Sequence, residues 1–212
     1  MIYDSDDLTN FSDLYQYLMP ELPGCPEALI LNNIRQVISD FCAKSQSWKY
    51  QPDPVSVAAG EKQYRLEDYP DNSIIEALCS IIRYANATDW GEKKPGTVLT
   101  PELNYFLTKD KTVELVSEPG ETIQNALLFT LILKPTRTST NIDAQLFDNY
   151  YEMWVDGTLS KLMMMTGTLW YNPQLAMEKK RLYWAGISAA RTADNRGYMN
   201  RQLRARPRIP FL

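Results

Sequence analysis

Residues 126–133 read Ala-Leu-Leu-Phe-Thr-Leu-Ile-Leu and contain one polar side chain, Thr130. This is the longest apolar run in the chain. It is strand length, well short of the ~18 apolar residues of a membrane span. A strand that is apolar at successive positions has no solvent face and must be covered on both sides. The fold therefore needs a strand with other elements above and below it. With 212 residues, 44% of them hydrophobic, the chain is long enough to supply those layers. A domain of this size buries roughly 70% of its unfolded surface and needs no disulfide or metal staple. Ordinary apolar content and a net charge of −4 exclude global disorder.

The residue inventory removes much catalytic chemistry. There is no histidine, so Ser-His-Asp and Cys-His devices and histidine-containing zinc sites are impossible. Cys25, Cys42 and Cys79 lie far apart and form no CxxC, and three cysteines cannot build a four-cysteine zinc site. They read as reduced, small buried hydrophobes. No Walker loop, GxGxxG, GxSxG or EF-hand pattern is present. Gly91-Glu92-Lys93-Lys94-Pro95-Gly96 reads as a turn, and the acid pairs Asp6-Asp7 and Glu67-Asp68 fall on expected loops. The expectation is a protein that is not an enzyme and uses no cofactor or metal. An enzyme using carboxylates such as Asp143 or Asp148 is the rival without positive support. The acidic start, MIYDSDDLTN, is not a signal peptide, so the expectation is a soluble, membrane-free protein made in a cytoplasm.

Charge is unevenly placed. Residues 1–34 hold six acids and no Lys or Arg, whereas residues 178–212 hold nine basic residues against Glu178 and Asp194. That end carries +7 and residues 1–177 carry −11. A basic end on an acidic body points to an interaction tail for nucleic acid, a membrane surface or an acidic protein, or to a solvated end that aids solubility.

Periodicity gives the layout. Residues 10–19 form a short helix on Phe11, Leu14, Tyr15 and Leu18. A stronger helix covers residues 26–46, with Ile30, Ile34, Val37, Ile38 and Phe41 as its stripe. The strand region spans 48–134. Within it, 55–59 and 62–66 alternate around Gly60-Glu61 and read as a β-hairpin. Residues 73–84 are ambiguous between strand and short helix, and their β-branched isoleucines favour strand. Thr100-Pro101 and the following ELNYFL read as a helical turn. Residues 111–118 and 126–134 are strands joined across Pro119-Gly120-Glu121. A helix over 141–165 starts at Thr140 or Asn141 and presents Phe147, Tyr150, Trp154, Leu159 and Leu162. The tripeptide Met163-Met164-Met165 beside Trp170-Tyr171 reads as a helix end packed into the core, with a plastic binding surface as the alternative. The last helix, 173–194, is capped by Asn172 and buries Leu175, Leu182, Tyr183, Gly186, Ile187 and Ala190. Residues 197–212 have no helical pattern and read as an extended arm, with up to ~60 Å of reach from residue 195. The expected fold is α+β: a helical bundle of long helices with a small antiparallel β-sheet, residues 1–196 as one domain, and an extended C-terminal arm.

Three pieces of sequence carry a resemblance: Phe41-Cys42 with Trp48, Val57…Gly60…Tyr64-Arg65-Leu66, and Gly157-Thr158-Leu159 through Trp170-Tyr171-Asn172-Pro173. Together with the terminal Arg-Ala-Arg-Pro-Arg, the series over residues 26–212 resembles the head-to-tail adaptor (connector, tail tubular A-like) proteins of tailed, mainly short-tailed, bacteriophages. The resemblance implies a structural protein of the virion neck, assembled in the host cytoplasm. It implies a homo-oligomeric, dodecameric ring under the portal protein, joined below to a tail nozzle or tail tube protein. Double-stranded DNA would pass through the channel without specific binding. The paired helices would build the ring wall, and the strand region would face the tail. The portal-binding arm would comprise Arg201, Arg204, Arg206, Arg208, Ile209, Phe211 and Leu212. The alternative is a DNA-binding phage accessory protein using the basic C-terminal segment, with steep salt dependence.

Overall fold

The computed structural model describes residues 7–83, 98–99, 104–107 and 111–195. In chain order these give β1 (Leu8–Asn10), α1 (Tyr15–Leu18) between two 3-10 turns, and α2 (Glu27–Ser45). Nine strands interrupt the helices: β2 (Lys49–Tyr50), β3 (Val55–Val57), β4 (Gln63–Arg65), β5 (Ser73–Arg83), β6 (Val98–Leu99), β7 (Tyr105–Leu107), β8 (Thr112–Leu115), β9 (Ile123–Pro135) and β10 (Asn141–Asp143). Then come α3 (Ala144–Leu162) and α4 (Pro173–Asn195).

The centre is β9, the strand with no solvent face. On one edge it pairs with β5 along most of its length. On the other it pairs with β3 near its start and β2 near its end. All these pairings are antiparallel. Leu127, Phe129, Leu131 and Leu133 are wholly buried, and α2 packs across the sheet on β9. On its far side α2 meets α3 and α4. It is therefore covered on two sides, which is why its buried arc includes Ile30, Asn33, Ile34, Val37, Ile38, Phe41 and Cys42. Phe41 anchors an aromatic group, with ring centroids 5.0 Å from Tyr150, 6.0 Å from Trp154 and 6.3 Å from Tyr183. Each large side chain so buried contributes about 1.5–3 kcal/mol.

This corrects the expected bundle with a small sheet. Ten strands form three antiparallel sheets among the described residues, and α2 lies on the largest sheet with α3 and α4 behind it. The physical reason is the apolar run itself, which needs α2 as cover and so turns α2 away from a purely helical core.

The hairpin expected at Gly60-Glu61 is also absent. β3 pairs with β9, whereas β4 pairs with β8 in a separate three-stranded sheet, ordered β4-β8-β7. The register nevertheless runs on: Val55 faces Leu127, Val57 faces Ile123, and Gln63 faces Glu114. Residues 55–65 and 112–127 are thus one two-stranded ribbon bent at a corner. Gly60 sits in the corner with φ +77°, and its N–H donates to Pro119 O at 2.9 Å. Strands that change sheets turn such corners at bends. The strands at 111–118 and 126–134 lie one in each sheet and do not pair. Tyr105–Leu107, read as part of a helical turn, is instead the edge strand β7; Thr100-Pro101 lies outside the described residues. Asn141 lies in β10 rather than in a helix, and Asp143 is the true cap of α3, its carboxylate accepting from Leu146 N–H at 2.9 Å.

Candidate functional site

The portal-binding arm residues Arg201, Arg204, Arg206, Arg208, Ile209, Phe211 and Leu212 lie outside the described residues. The outer side of α3 and α4, among the described residues, carries the features that follow.

The two helices approach closely because glycine stands at each crossing. A Cβ on Gly157 would lie 2.6 Å from Val37 Cγ1 and 2.8 Å from Tyr183 Cδ2, and one on Gly186 would lie 2.5 Å from Met153 Cγ. Tyr183 closes the three-helix junction by donating its hydroxyl to Val37 O at 3.0 Å. Burial pushes its pKa well up, and Asp40 nearby adds to the rise. Asn172 caps α4 by accepting from Leu175 N–H at 3.2 Å.

Beyond the junction, the helices diverge into a groove of about 350 Å³. Its walls are apolar: Met164 and Met177 are 50% and 63% exposed, and Trp184 is 45% exposed. Lys161 and Lys180 stand beside them. Reduced hydration lowers the pKa of Lys161, Asp40 opposes that change and Lys44 reinforces it. The groove's one carboxylate, Asp40, is engaged by Lys44 Nζ at 2.6 Å, and Lys44 also lies 4.3 Å over the Trp184 ring. Lys179, on the same helix, is held by Asp156 at 2.8 Å.

A second groove, about 590 Å³, lies between α2 and the end of β9 and is lined by Arg35, Gln36, Lys134 and Arg137. Arg35 donates through Nε to Ser139 O at 2.8 Å, and Lys134 is 2.5 Å from Glu76, so two of its three cations are already committed.

Among the described residues, no group of three or more His, Cys, Asp or Glu side chains converges to hold a metal. Asp143 is buried as a helix cap, Asp148 is exposed, and Glu67 and Asp68 lie on an exposed loop. Cys42 is fully buried, which raises its pKa and keeps it a thiol. Cys25 is also buried, but Cys79 is exposed, contrary to the expectation of three core thiols. Of the methionine triplet, Met163 is buried and Met164 is exposed, so the tripeptide serves core and surface together.

Exposed apolar side chains also occur elsewhere. Phe106 and Leu107 on β7, with Val116 just after β8, are 51%, 44% and 43% exposed. The main packing partners of that sheet are its own strands, whereas α4 packs on α3 and α2. The sequence reading singled out Met164 but missed Met177, Trp184, Phe106 and Leu107. Met177 and Trp184 are seven residues apart on α4 and off its buried stripe, and that spacing was the available signal. Leu182, assigned to the stripe, is 42% exposed. No protein-family model and no curated protein matches the chain.

Proposed function

We propose that this chain is a structural ring component of a virion neck: a head-to-tail adaptor that joins a portal to a tail and surrounds the DNA channel. The observation that carries the reading is the presence of two separate exposed apolar surfaces on one subunit. One is the α3–α4 face with Met164, Met177 and Trp184; the other is the three-stranded sheet with Phe106 and Leu107. Contacts between unlike surfaces generate rings when the rotation closes. Exposed apolar side chains grouped in one groove, as Met164, Met177 and Trp184 are, mark interaction sites. The motif series from Phe41-Cys42 to Asn172-Pro173 supports the same reading, as does the +7 carried by residues 178–212. In this reading residues 200–212 dock in the portal, with Ile209, Phe211 and Leu212 as apolar anchors and the arginines as its polar contacts. The −11 body repels DNA phosphates rather than holding them.

Light scattering of the chain with its cognate portal tests the proposal. The portal peak is expected to gain about one adaptor per portal subunit and to keep it at moderate salt. Truncation after Arg196 should leave the fold intact and abolish the gain. Full binding by the truncated chain removes the arm from the interface. An unshifted portal peak together with salt-steep binding of short duplex DNA turns the assignment to the DNA-binding alternative.

A further inference from the structure

The α3–α4 groove combines two features that call for a particular occupant. It has an apolar wall in Met164, Met177 and Trp184. It also has two ammonium groups, on Lys161 and Lys180, that form no ion pair among the described residues, because Asp40 is taken by Lys44 and Asp156 by Lys179. A ligand that fits must place apolar side chains beside carboxylates over a few residues. The chain itself contains such a segment. Residues 1–6 read Met-Ile-Tyr-Asp-Ser-Asp, with three apolar-bodied side chains followed by two acids, and Asp7 extends the charge.

We propose that the α3–α4 groove of one copy binds residues 1–6 of a second copy, with Ile2 and Tyr3 against Met177 and Trp184 and the carboxylates of Asp4 and Asp6 toward Lys161 and Lys180.

Geometry assigns the segment to a second copy rather than to the same chain. Asp7 is tied to the start of α3, since its carbonyl accepts from Ala144 N–H at 2.9 Å. The groove begins near the other end of that helix, at Gly157, and runs on to Lys161 and Met164. From Ala144 to Lys161 the helix axis is ~26 Å long. Six residues, fully extended, span ~20 Å. Ile2 and Tyr3, still nearer to Asp7 along the chain, fall short of Lys161 and Met164 at the far end of the groove in their own subunit. Charge favours the same pairing: residues 1–34 carry only acids, and the groove presents cations. Carboxylate–ammonium contacts beside an apolar wall are stronger than the same contacts in open solvent. The contact is between unlike surfaces of two copies, so it can propagate around a ring, but it does not depend on portal binding.

Disulfide trapping in the full chain tests it. In a Cys79→Ser background, which removes the exposed native thiol, one preparation carries Ile2→Cys and another Met177→Cys. Mixed and mildly oxidised, the two should give a covalent dimer containing one chain of each, in excess of what either gives alone. Lys161→Glu with Lys180→Glu in the Met177→Cys chain should lower the yield at least about tenfold, the scale of losing two charge-assisted contacts. Adding Asp4→Lys and Asp6→Lys to the Ile2→Cys chain should restore it, which a misfolded groove would not permit. No mixed dimer, or a yield indifferent to charge reversal, overturns the proposal. A double variant that closes its own bridge within a single monomer overturns it as well, in favour of the intramolecular arrangement. Portal binding is unaffected by these outcomes if the two interactions are separate, so failure here is distinguishable from failure of the adaptor reading.

Discussion

Cys42 and Tyr183 keep their protons in the folded chain because burial removes the water that would stabilise a thiolate or phenolate. Both have pKa values raised above the ordinary 9.0 and 10.0. The native state therefore holds protons that the unfolded state releases in alkali. The stability these groups contribute is fully present below pH ~9 and falls as pH rises past each unfolded value. Cys42, with the lower ordinary value, begins to cost stability first as pH rises, and Tyr183 follows about one unit higher. Lys161 runs the other way: its lowered pKa means that the cost of its charge is relieved as pH approaches 10.5. The thiol and phenol should dominate, because they lie deeper. Urea midpoints measured from about pH 8 to 11 are expected to fall, and Cys42→Ala should flatten the decline. A midpoint that stays level in the parent chain means these groups ionise in place.

At the scale of elements, the α2–α3–α4 junction sets two glycines against different neighbours. Gly157→Ala would drive a methyl into Val37 and Tyr183, both fixed: Val37 lies wholly buried on α2, and Tyr183 is hydrogen-bonded to Val37 O. Overpacking of this kind costs about 1–3 kcal/mol, and the gain in helix propensity returns at most about 1. Gly186→Ala meets only the Met153 side chain, which is flexible and half-buried. It meets Met153 Cγ at 2.5 Å, so it should destabilise too, but by less than Gly157→Ala because Met153 can re-orient. Chemical denaturation of the two variants checks the ordering, and equal losses would mean the junction is looser than these distances require. The stripes of α2 and α3 were legible from sequence because helical period and burial coincide there. The strand pairing was not. Gly60-Glu61 signals a change of direction, yet the same signal serves a reversal within one sheet and a corner between two. Only the partner ladder, about fifty residues away, separates them. The groove was still less legible, because its side chains come from α2, α3 and α4 at positions with no common period. The basic arm was plain as composition, but composition fixes no position in space.

For the whole molecule, β9 is the point on which the other elements depend. It is hydrogen-bonded along both edges, by β5 on one side and by β2 and β3 on the other, and α2 lies across it. Opening it separates the helical layer from the sheet and exposes the largest apolar area at once. The three-stranded sheet is attached differently. It joins the rest through the bent ribbon at Gly60 and Pro119, and its core is a small set that includes Tyr64, Tyr105, Val113 and Leu115. Free energies of local opening follow buried apolar contact, so the two regions should not open together. In native-state hydrogen exchange, amides of residues 127–133 are expected to be the slowest and to report global unfolding. Hydrogen-bonded amides of β4, β7 and β8 should exchange at least about tenfold faster. If the three-stranded sheet docks on a neighbouring subunit or tail protein through Phe106 and Leu107, its protection should rise on assembly while that of β9 stays unchanged. Equal protection of both regions in the free chain would show that the corner couples them into one cooperative unit. The exposed apolar edge of β7 would then be a rigid face before any partner arrives.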